Sequence, residues 1–290
     1  MEWLDRLNDA LNYMEQNLDG EIDYNKAAQL ACCSTFHFQR MFSYIAGVPL
    51  SEYIRRRRMT MAAFNLQNGD KVLDVALRYG YESPTSFNRA FQSVHGVAPS
   101  VAQRENAILK AFPRISFKIT IKGEAEMDYR IVKKEAFRVV GLSSPLEKEI
   151  EQNFQAVPLL WQRAAESGLI PKLCGLMNQE PRGVLGVSAC MSGEDWAYYI
   201  AVASDKPLPA ELSELSEYNV PACTWAVFPG EGTMPLSIQE LEKRIVTEWL
   251  PTSGYEYADA PDIEVYLEPD PANAKFEVWL PVRKKNGGAE

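Results

Sequence analysis

Two nine-residue stretches of the chain repeat one pattern of aromatic and polar side chains, 49 residues apart. The first is STFHFQRMF at residues 34–42, and the second is SPTSFNRAF at residues 83–91. At helical spacing, each stretch places an arginine and an amide side chain on the same side. Such side chains donate and accept hydrogen bonds at the edges of nucleic-acid bases, so the pattern predicts base recognition.

The polar side has the same character in both copies. Its members in the first predicted helix are Phe36, Gln39, Arg40 and Ser43, and those in the second are Thr85, Asn88, Arg89 and Gln92. Arginine pairs with guanine, asparagine or glutamine pairs with adenine, and apolar groups contact the thymine methyl. A solvent-exposed polar face would look similar in one helix. Two copies, each ending a helix-turn-helix, favour two recognition helices on successive turns of one duplex.

The repeat predicts the elements that position these faces. At the same offset Ala27 corresponds to Ala76, Ala31 to Gly80, and Gly47 to Gly96. Each copy predicts a short helix, a tight turn and a second helix, with Ser83 and Pro84 beginning the second helix of the second copy. The predicted buried stripes are Phe38, Phe42 and Ile45, and Phe87, Phe91 and Val94. Residues 50–68 predict one helix that connects the copies, with Gly69 beyond its end.

The charge is divided unevenly along the chain. Residues 1–122 carry 15 basic and 12 acidic side chains, or +3, and the remainder carries 15 and 27, or −12. Residues 25–58 hold Lys26, Arg40 and the arginine run 55–58 against Glu52 alone, which favours binding to phosphates. Within that run we expect Arg55 and Arg57 to contact DNA phosphates and the others to be structural. The alternative is that these arginines are solvated at the surface or pair with acidic groups of the second half.

Several protein classes are disfavoured by what the sequence lacks. There is no apolar run of about 18 residues, and the acidic amphipathic start does not resemble a signal peptide, so we expect a cytoplasmic protein with no membrane partner. The five cysteines show no CxxC spacing, and His37 and His95 are the only histidines. We therefore expect no metal, no cofactor and no catalytic residues, with surface or capping roles for both histidines.

The second half predicts an α+β domain. Alternation in ISFKITIK, at residues 115–122, marks a strand in the passage between the halves. Two β-α-β-β units then follow in tandem, with a cleft at their junction. The first β-α-β-β unit comprises residues 129–141, 150–167, 184–191 and 196–203. The second β-α-β-β unit comprises residues 224–228, 236–249, 263–267 and 276–282. Gly183 and Gly186 in GVLGVS are interpreted as turn residues.

Glu264 is the most distinctive polar residue of the second half. In PDIEVYL it alternates with Ile263 and Val265, so its carboxylate lies on the opposite face of a predicted strand. A buried carboxylate needs a partner, and a cationic ligand framed by aromatic rings would supply one. An exposed edge strand is the alternative. The predicted ligand-binding residues are Trp161, Trp196, Tyr198, Trp225, Glu264, Tyr266 and Trp279.

The second copy of the repeat carries three motifs. They are A-x-x-x-G-Y (Ala76, Gly80 and Tyr81), F-x-R-x-F (Phe87, Arg89 and Phe91) and G-x-x-P (Gly96 and Pro99). With these motifs, the first half resembles the DNA-binding domain of AraC/XylS-type transcriptional regulators. The resemblance implies that the first recognition helix makes more base contacts than the second. It also assigns base reading to Gln39 and Arg40.

The second half contains the segments MDYRIVKKEAFRVVGLSSP, ACTWAVFPGEG and FEVWLPV. In these segments it is similar to the GyrI-like (Rob-like) small-molecule-binding domain. The resemblance implies a tandem-repeat α+β fold with antiparallel sheets, a central aromatic pocket for hydrophobic, often cationic compounds, and a functional glutamate at Glu264.

Together these observations predict a multidomain regulator that binds promoter DNA and responds to a small-molecule effector of the multidrug type. The expected domains are an all-α double helix-turn-helix at 1–110, a linker or hairpin at 111–126 and a GyrI-like domain at 127–285. RNA polymerase is a further expected partner. The alternatives are a GyrI-like hydrolase and a non-specific DNA-bending or gyrase-associated protein.

Overall fold

The computed structural model describes residues 3–104, 106–117, 126–147, 150–192, 195–268 and 270–285. The chain forms two compact units, Met1–Ile119 and Thr120–Glu290. Their division falls inside the expected linker at 111–126, of which residues 118–125 lie outside the described residues. Residues 115–117 of the expected ISFKITIK strand are not in a strand, and its residues 118–122 are also outside the described part.

The first unit is helical, as predicted. Its helices are α1 (Trp3–Gln16), α2 (Tyr24–Leu30), α3 (Thr35–Ala46), α4 (Leu50–Gln67), α5 (Val72–Arg78), α6 (Pro84–His95) and α7 (Pro99–Ala102). The aromatic stripes are confirmed, since Phe38, Phe42, Phe87 and Phe91 are each at most 1% exposed. Ile45 is only half-buried. Both α3 and α6 end at a glycine in the left-handed conformation, as expected of Gly47 and Gly96.

The two copies differ by one residue in the turn before the second helix. The amide of Cys33 donates to the Ala28 carbonyl at 3.1 Å, and the amide of Tyr81 donates in the same way to Ala76 at 2.9 Å. Residues of α2 and α5 therefore correspond at an offset of 48, whereas α3 and α6 begin 49 residues apart. The predicted pairing of residue 27 with 76, and of 31 with 80, is thus wrong by one residue, because the first turn is shorter.

The arginine run of α4 is engaged inside its own unit. Arg57 forms a bidentate ion pair with Glu15 of α1, at 2.9 and 2.7 Å, and donates to the Phe112 carbonyl. Arg58 donates to the carbonyls of Leu18 and Gly20, beyond the end of α1. These bonds fasten the connecting helix to α1.

Arg57, an expected phosphate contact, is mostly enclosed by its own unit. Its side chain is 11% exposed and that of Glu15 is 7% exposed. Tyr53 donates to the same carboxylate at 2.6 Å. The pKa of Tyr53 is raised, mainly by burial and next by this hydrogen bond. A guanidinium in such a position is a structural group, because leaving Glu15 without it would bury an uncompensated charge.

The second unit contains one antiparallel sheet. Its strands are β1 (Arg130–Lys134), β2 (Phe137–Pro145), β3 (Val184–Ser192), β4 (Asp195–Ala203), β5 (Ser216–Val220), β6 (Cys223–Gly232), β7 (Tyr255–Tyr257), β8 (Asp262–Tyr266) and β9 (Ala274–Lys284). The order is β1-β6-β9-β8-β3-β4-β2-β5, and β7 pairs with β9. The expected strand at 129–141 is two strands, because β1 pairs with β6 while β2 pairs with β4 and β5.

The tandem β-α-β-β arrangement is confirmed in the strand order. In the first unit of the tandem β2, β4 and β3 are neighbours, and in the second β6, β9 and β8 are neighbours. The antiparallel pairing of β3 with β8 joins the two units. The outer strands are exchanged, since β1 precedes β2 in the chain but pairs with β6, and β5 precedes β6 but pairs with β2. The two halves are therefore tied together at three places.

Helices accompany both halves of the sheet. They are α8 (Ile150–Glu166), α9 (Leu169–Leu176) and α10 (Leu236–Arg244), the last continuing as a π-helical turn (Ile245–Trp249) and a short helical end (Leu250–Thr252). Sequence patterning predicted α8 and α10 but missed α9, β5 and β7. Within the described residues, no helix has the length and apolar character needed to cross a membrane.

We predict that Arg57→Met lowers the free energy of unfolding of the first unit by about 3–5 kcal/mol, because it strands the buried Glu15 carboxylate. Urea denaturation of the full chain would measure this by far-ultraviolet circular dichroism. Tryptophan fluorescence follows unfolding of the second unit separately, because that unit holds five of the six tryptophans.

Arg55→Met is the matched control. The Arg55 side chain is 35% exposed and pairs with Glu52 one turn away, so its loss should cost less than about 1 kcal/mol. Equal losses in the two variants would contradict the structural role of Arg57.

Candidate functional site

Glu264 occupies the face of β8 that the sequence predicted. Ile263 and Val265 are fully buried on one face of the strand, and the half-buried Glu264 lies on the other. Strand alternation explains this placement, because successive side chains point to opposite faces of the sheet.

Three aromatic side chains gather around the Glu264 carboxylate. Tyr198 and Tyr266 donate their phenolic O–H groups to its Oε2 atom, at 3.0 and 2.8 Å. The Trp161 indole Nε1–H donates to the Tyr198 oxygen at 3.0 Å, and its ring meets that of Tyr266 edge-on, with centroids 4.8 Å apart. We call these four residues the Glu264 cluster. Helix α8 and strands β4 and β8 supply its members, all of which the sequence predicted as ligand-binding residues.

Gly186 makes the cluster possible, and sequence reasoning missed its role. It lies within β3, between Glu264 on β8 and Ile200 on β4, and is not the turn residue that we expected. A Cβ atom at this position would lie 2.1 Å from the Tyr198 hydroxyl and 2.8 Å from Glu264 Oε2. The missing side chain therefore leaves room for Tyr198 to reach Glu264. A glycine inside an apolar strand pattern is the sequence signal for such a close approach.

The remaining predicted aromatic residues divide between the two faces of the sheet. Trp196 lies two residues before Tyr198 on β4 and therefore on the same face. Trp279 pairs directly with Ile263, so it shares the face opposite to Glu264. Trp225 is fully buried near Trp279, with ring centroids 6.0 Å apart, in a core that contains Ile263 and Val265. The structure does not bring Trp225 or Trp279 to the cluster, because the sheet separates them.

The predicted base-reading residues of α3 are half-buried. The Arg40 guanidinium lies over the ring of Tyr44, 5.8 Å from its centroid, and the Ser43 hydroxyl donates to the Gln39 carbonyl at 2.9 Å. Phe36 is half-buried on the same side of the helix. The Tyr44 contact holds the Arg40 side chain against its own helix, which lowers the entropy lost when it binds a partner.

The corresponding surface of α6 is more open. Thr85, Arg89 and Gln92 are exposed, and Asn88 is half-buried and accepts from Gln92 at 3.4 Å. Arg55 bridges from α4 to this helix, since it pairs with Glu52 and donates to Ser93. Arg55 thus remains at the surface beside α6, unlike Arg57.

Both histidines are buried, so of the surface or capping roles that we expected, neither residue has the surface one. His37 is 3% exposed, and its Nδ1 atom lies 2.8 Å from the hydroxyl of Ser34, the residue that caps α3. His95 is 4% exposed, and its Nε2–H donates to the Met59 carbonyl. Burial lowers the pKa of His95. Among the described residues, no group of three or more His, Cys, Asp or Glu side chains could hold a metal ion.

Comparison with known proteins identifies both units. Residues 127–283 match the GyrI-like small molecule binding domain, and residues 27–105 match a helix-turn-helix domain. The chain is 38% identical over 96 residues to the HTH-type transcriptional activator AarP of Providencia stuartii, across 33% of this chain and 71% of AarP. The chain belongs to the AraC/XylS family of transcriptional regulators. It is a ligand-responsive, DNA-binding regulator whose second unit is a GyrI-like domain.

Two further relatives match one unit each. The transcriptional regulator Rob of Salmonella typhimurium is 33% identical over 101 residues, which cover 34% of this chain and 35% of Rob. The solved structure of SAV2435 bound to tetraphenylphosphonium aligns with a TM-score of 0.47 and 22% identity, over 54% of this chain and 94% of that one.

We predict that Gly186→Ala lowers the free energy of unfolding of the GyrI-like domain by about 1–3 kcal/mol, because the added methyl group overlaps the Tyr198 hydroxyl. Adding Tyr198→Phe should recover part of this loss by removing the overlapping oxygen. Urea denaturation followed by tryptophan fluorescence would measure both changes.

Gly175→Ala in α9 is the control, since a Cβ atom there meets nothing within 4 Å and alanine is the better helix former. A Gly186→Ala protein as stable as the control would contradict the close approach of Tyr198.

Proposed function

We propose that this regulator senses a hydrophobic cation at the Glu264 cluster. The observation that supports the proposal is the arrangement of the carboxylate, which accepts two phenolic hydrogen bonds within a set of aromatic rings. The cluster thus places a carboxylate, with its negative charge, beside the apolar surface of the aromatic rings.

A cation gains more at this position than a neutral molecule of the same shape. A half-buried carboxylate is less hydrated than one in water, which strengthens its attraction for a positive charge. Each ring face adds about 0.5–2 kcal/mol for a cation that lies over it. The tyrosine hydroxyls also fix the carboxylate in place, so little ordering is required when the ligand binds.

We infer that the GyrI-like domain binds its ligand without transforming it. The chain has no histidine after His95, so no Ser-His or Cys-His pair can form within this domain. The relatives that match the first unit are named as transcriptional regulators, which also favours binding over catalysis.

We propose that α3 and α6 read promoter DNA in successive major grooves. The repeated surface of Gln39 and Arg40 on α3, and of Asn88 and Arg89 on α6, supports this assignment. Arg55 is the phosphate-contacting residue of the α4 run, since it stays at the surface beside α6. We place the protein in the cytoplasm, where promoter DNA and RNA polymerase are its partners.

Glu264→Gln tests the choice of charge at the cluster. It keeps nearly the same volume and removes the negative charge, so it should weaken methyltriphenylphosphonium binding at least tenfold, about 1.4 kcal/mol. Binding of the neutral triphenylphosphine oxide, which has almost the same shape, should change little. Tryptophan fluorescence titration would measure both affinities, because Trp161 belongs to the cluster.

Glu277→Gln is the matched control, since Glu277 is a partly buried carboxylate that accepts from Trp279 on the opposite face of the sheet. Equal losses for the cation and the neutral compound in Glu264→Gln would show that Glu264 shapes the site without selecting charge. A loss of cation binding only in Glu277→Gln would move the site to the opposite face.

Arg40→Ala tests base reading by α3. It should lower discrimination at one base pair by about 1–3 kcal/mol, whereas Arg55→Ala should weaken specific and random duplexes alike and reduce the salt slope by about one. Quantitative mobility shifts with single-base variants of a selected site would separate the two effects.

Arg182→Ala, an exposed arginine of the GyrI-like domain, serves as the control for a lost positive charge. If Arg40→Ala left the ratio of specific to random binding unchanged, the base-reading role of Arg40 would be wrong.

A further inference from the structure

Two adjacent cysteines form the turn between α2 and α3. Cys32 and Cys33 both carry thiols and are both half-buried, so each is partly accessible to solvent. Their α-carbons are about 3.8 Å apart, as in any consecutive pair joined by a trans peptide bond. The other cysteines, Cys174, Cys190 and Cys223, are distant in sequence from this pair and are not adjacent to one another. The turn thus concentrates two thiols that the DNA-binding and effector-binding roles do not use.

The backbone of this turn is unusual at Cys32. Its φ is +57°, and the equivalent residue of the second copy is Gly80, with φ +80°. A left-handed backbone is sterically unfavourable for a residue with a Cβ atom and is the normal conformation of glycine. The first copy therefore keeps a cysteine where the second uses the residue that the turn favours. Backbone strain of this kind clusters at functional sites, so the Cys32 side chain is a candidate for a function.

We propose that Cys32 and Cys33 are a binding site for trivalent arsenic compounds. Thiolates are soft ligands that bind soft, thiophilic centres, and two on consecutive residues can close a chelate ring on one atom. With an organoarsenic(III) oxide R–As=O, such as phenylarsine oxide, both thiols give their protons to the oxygen, two As–S bonds form, the As=O bond breaks and one water leaves. The arsenic stays trivalent, so no oxidant or reductant is required.

The position of the pair connects this binding to DNA. Ser34 follows directly and caps α3, where its hydroxyl accepts from the His37 amide. An arsenic group bridging residues 32 and 33 adds bulk next to this cap, at the end of the helix that leads to Gln39 and Arg40. Modification should therefore oppose DNA binding. This consequence rests on the DNA-binding activity of the first unit.

The test uses the full chain and phenylarsine oxide. Intact-protein mass spectrometry should show one phenylarsenic group, with loss of one water, and peptide mapping should place it on residues 32 and 33. Affinity for a duplex selected from a random pool by the unmodified protein should fall at least tenfold. An added dithiol should restore it, because it competes for arsenic as a chelator, whereas the same concentration of a monothiol should not.

Cys32→Ser and Cys33→Ser should each abolish the adduct and the loss of DNA affinity, whereas Cys174→Ser, which removes an exposed single thiol, should retain both. DNA binding by each untreated variant is measured first, so a failed DNA interaction is distinguished from a failed arsenic site. An adduct that persists in Cys32→Ser would overturn the proposed site. An adduct at residues 32 and 33 that leaves DNA affinity unchanged would overturn its proposed effect on regulation.

Discussion

The pairing of β3 with β8 is the interaction on which the candidate effector site depends. It joins the two halves of the sheet and places Gly186 directly opposite Glu264. Because Gly186 has no side chain, Tyr198 reaches across β3 from β4 and donates to a carboxylate on β8. A shift of one residue in this register would turn Glu264 into the opposite face, where Trp279 and Ile263 lie, so the pairing decides whether the cluster exists.

The same pairing explains why the two similar halves form one such cluster among the described residues. At the junction, Gly186 of β3 occupies the position in its half that corresponds to Glu264 of β8 in the other half. Tyr198 of β4 likewise corresponds to Phe276 of β9. Phe276 has no hydroxyl, is 1% exposed, and packs closely over Gly230. One half therefore has a polar aromatic group that reaches a carboxylate, whereas the corresponding residue of the other half is an apolar ring that lies over Gly230. The duplicated fold positions the strands, and the difference between the two halves at these positions produces the cluster.

The first unit shows how packing changes the meaning of a charge pattern. Four consecutive arginines suggested a phosphate-binding surface, yet Arg57 and Arg58 are used to hold α4 against α1. Arg55 and Arg56 share the Glu52 carboxylate on the outer side of the same helix. The positive surface available to DNA is accordingly smaller than the count of charges indicates, and the arginines of α3 and α6 carry more of the expected recognition.

The sequence by itself determined the two kinds of domain, the duplicated helical unit, its aromatic stripes, most of the strands and the face on which Glu264 lies. These features follow from periodicity and spacing along the chain, which are local properties. The tertiary structure decided that Gly186 adjoins the Glu264 cluster, that Trp225 and Trp279 are on the other face, and that Arg57 pairs with Glu15. Those outcomes depend on which strands pair, in which register, and which helix covers which side chain. Such contacts join residues far apart in the chain, and a periodic pattern contains no information about its partner.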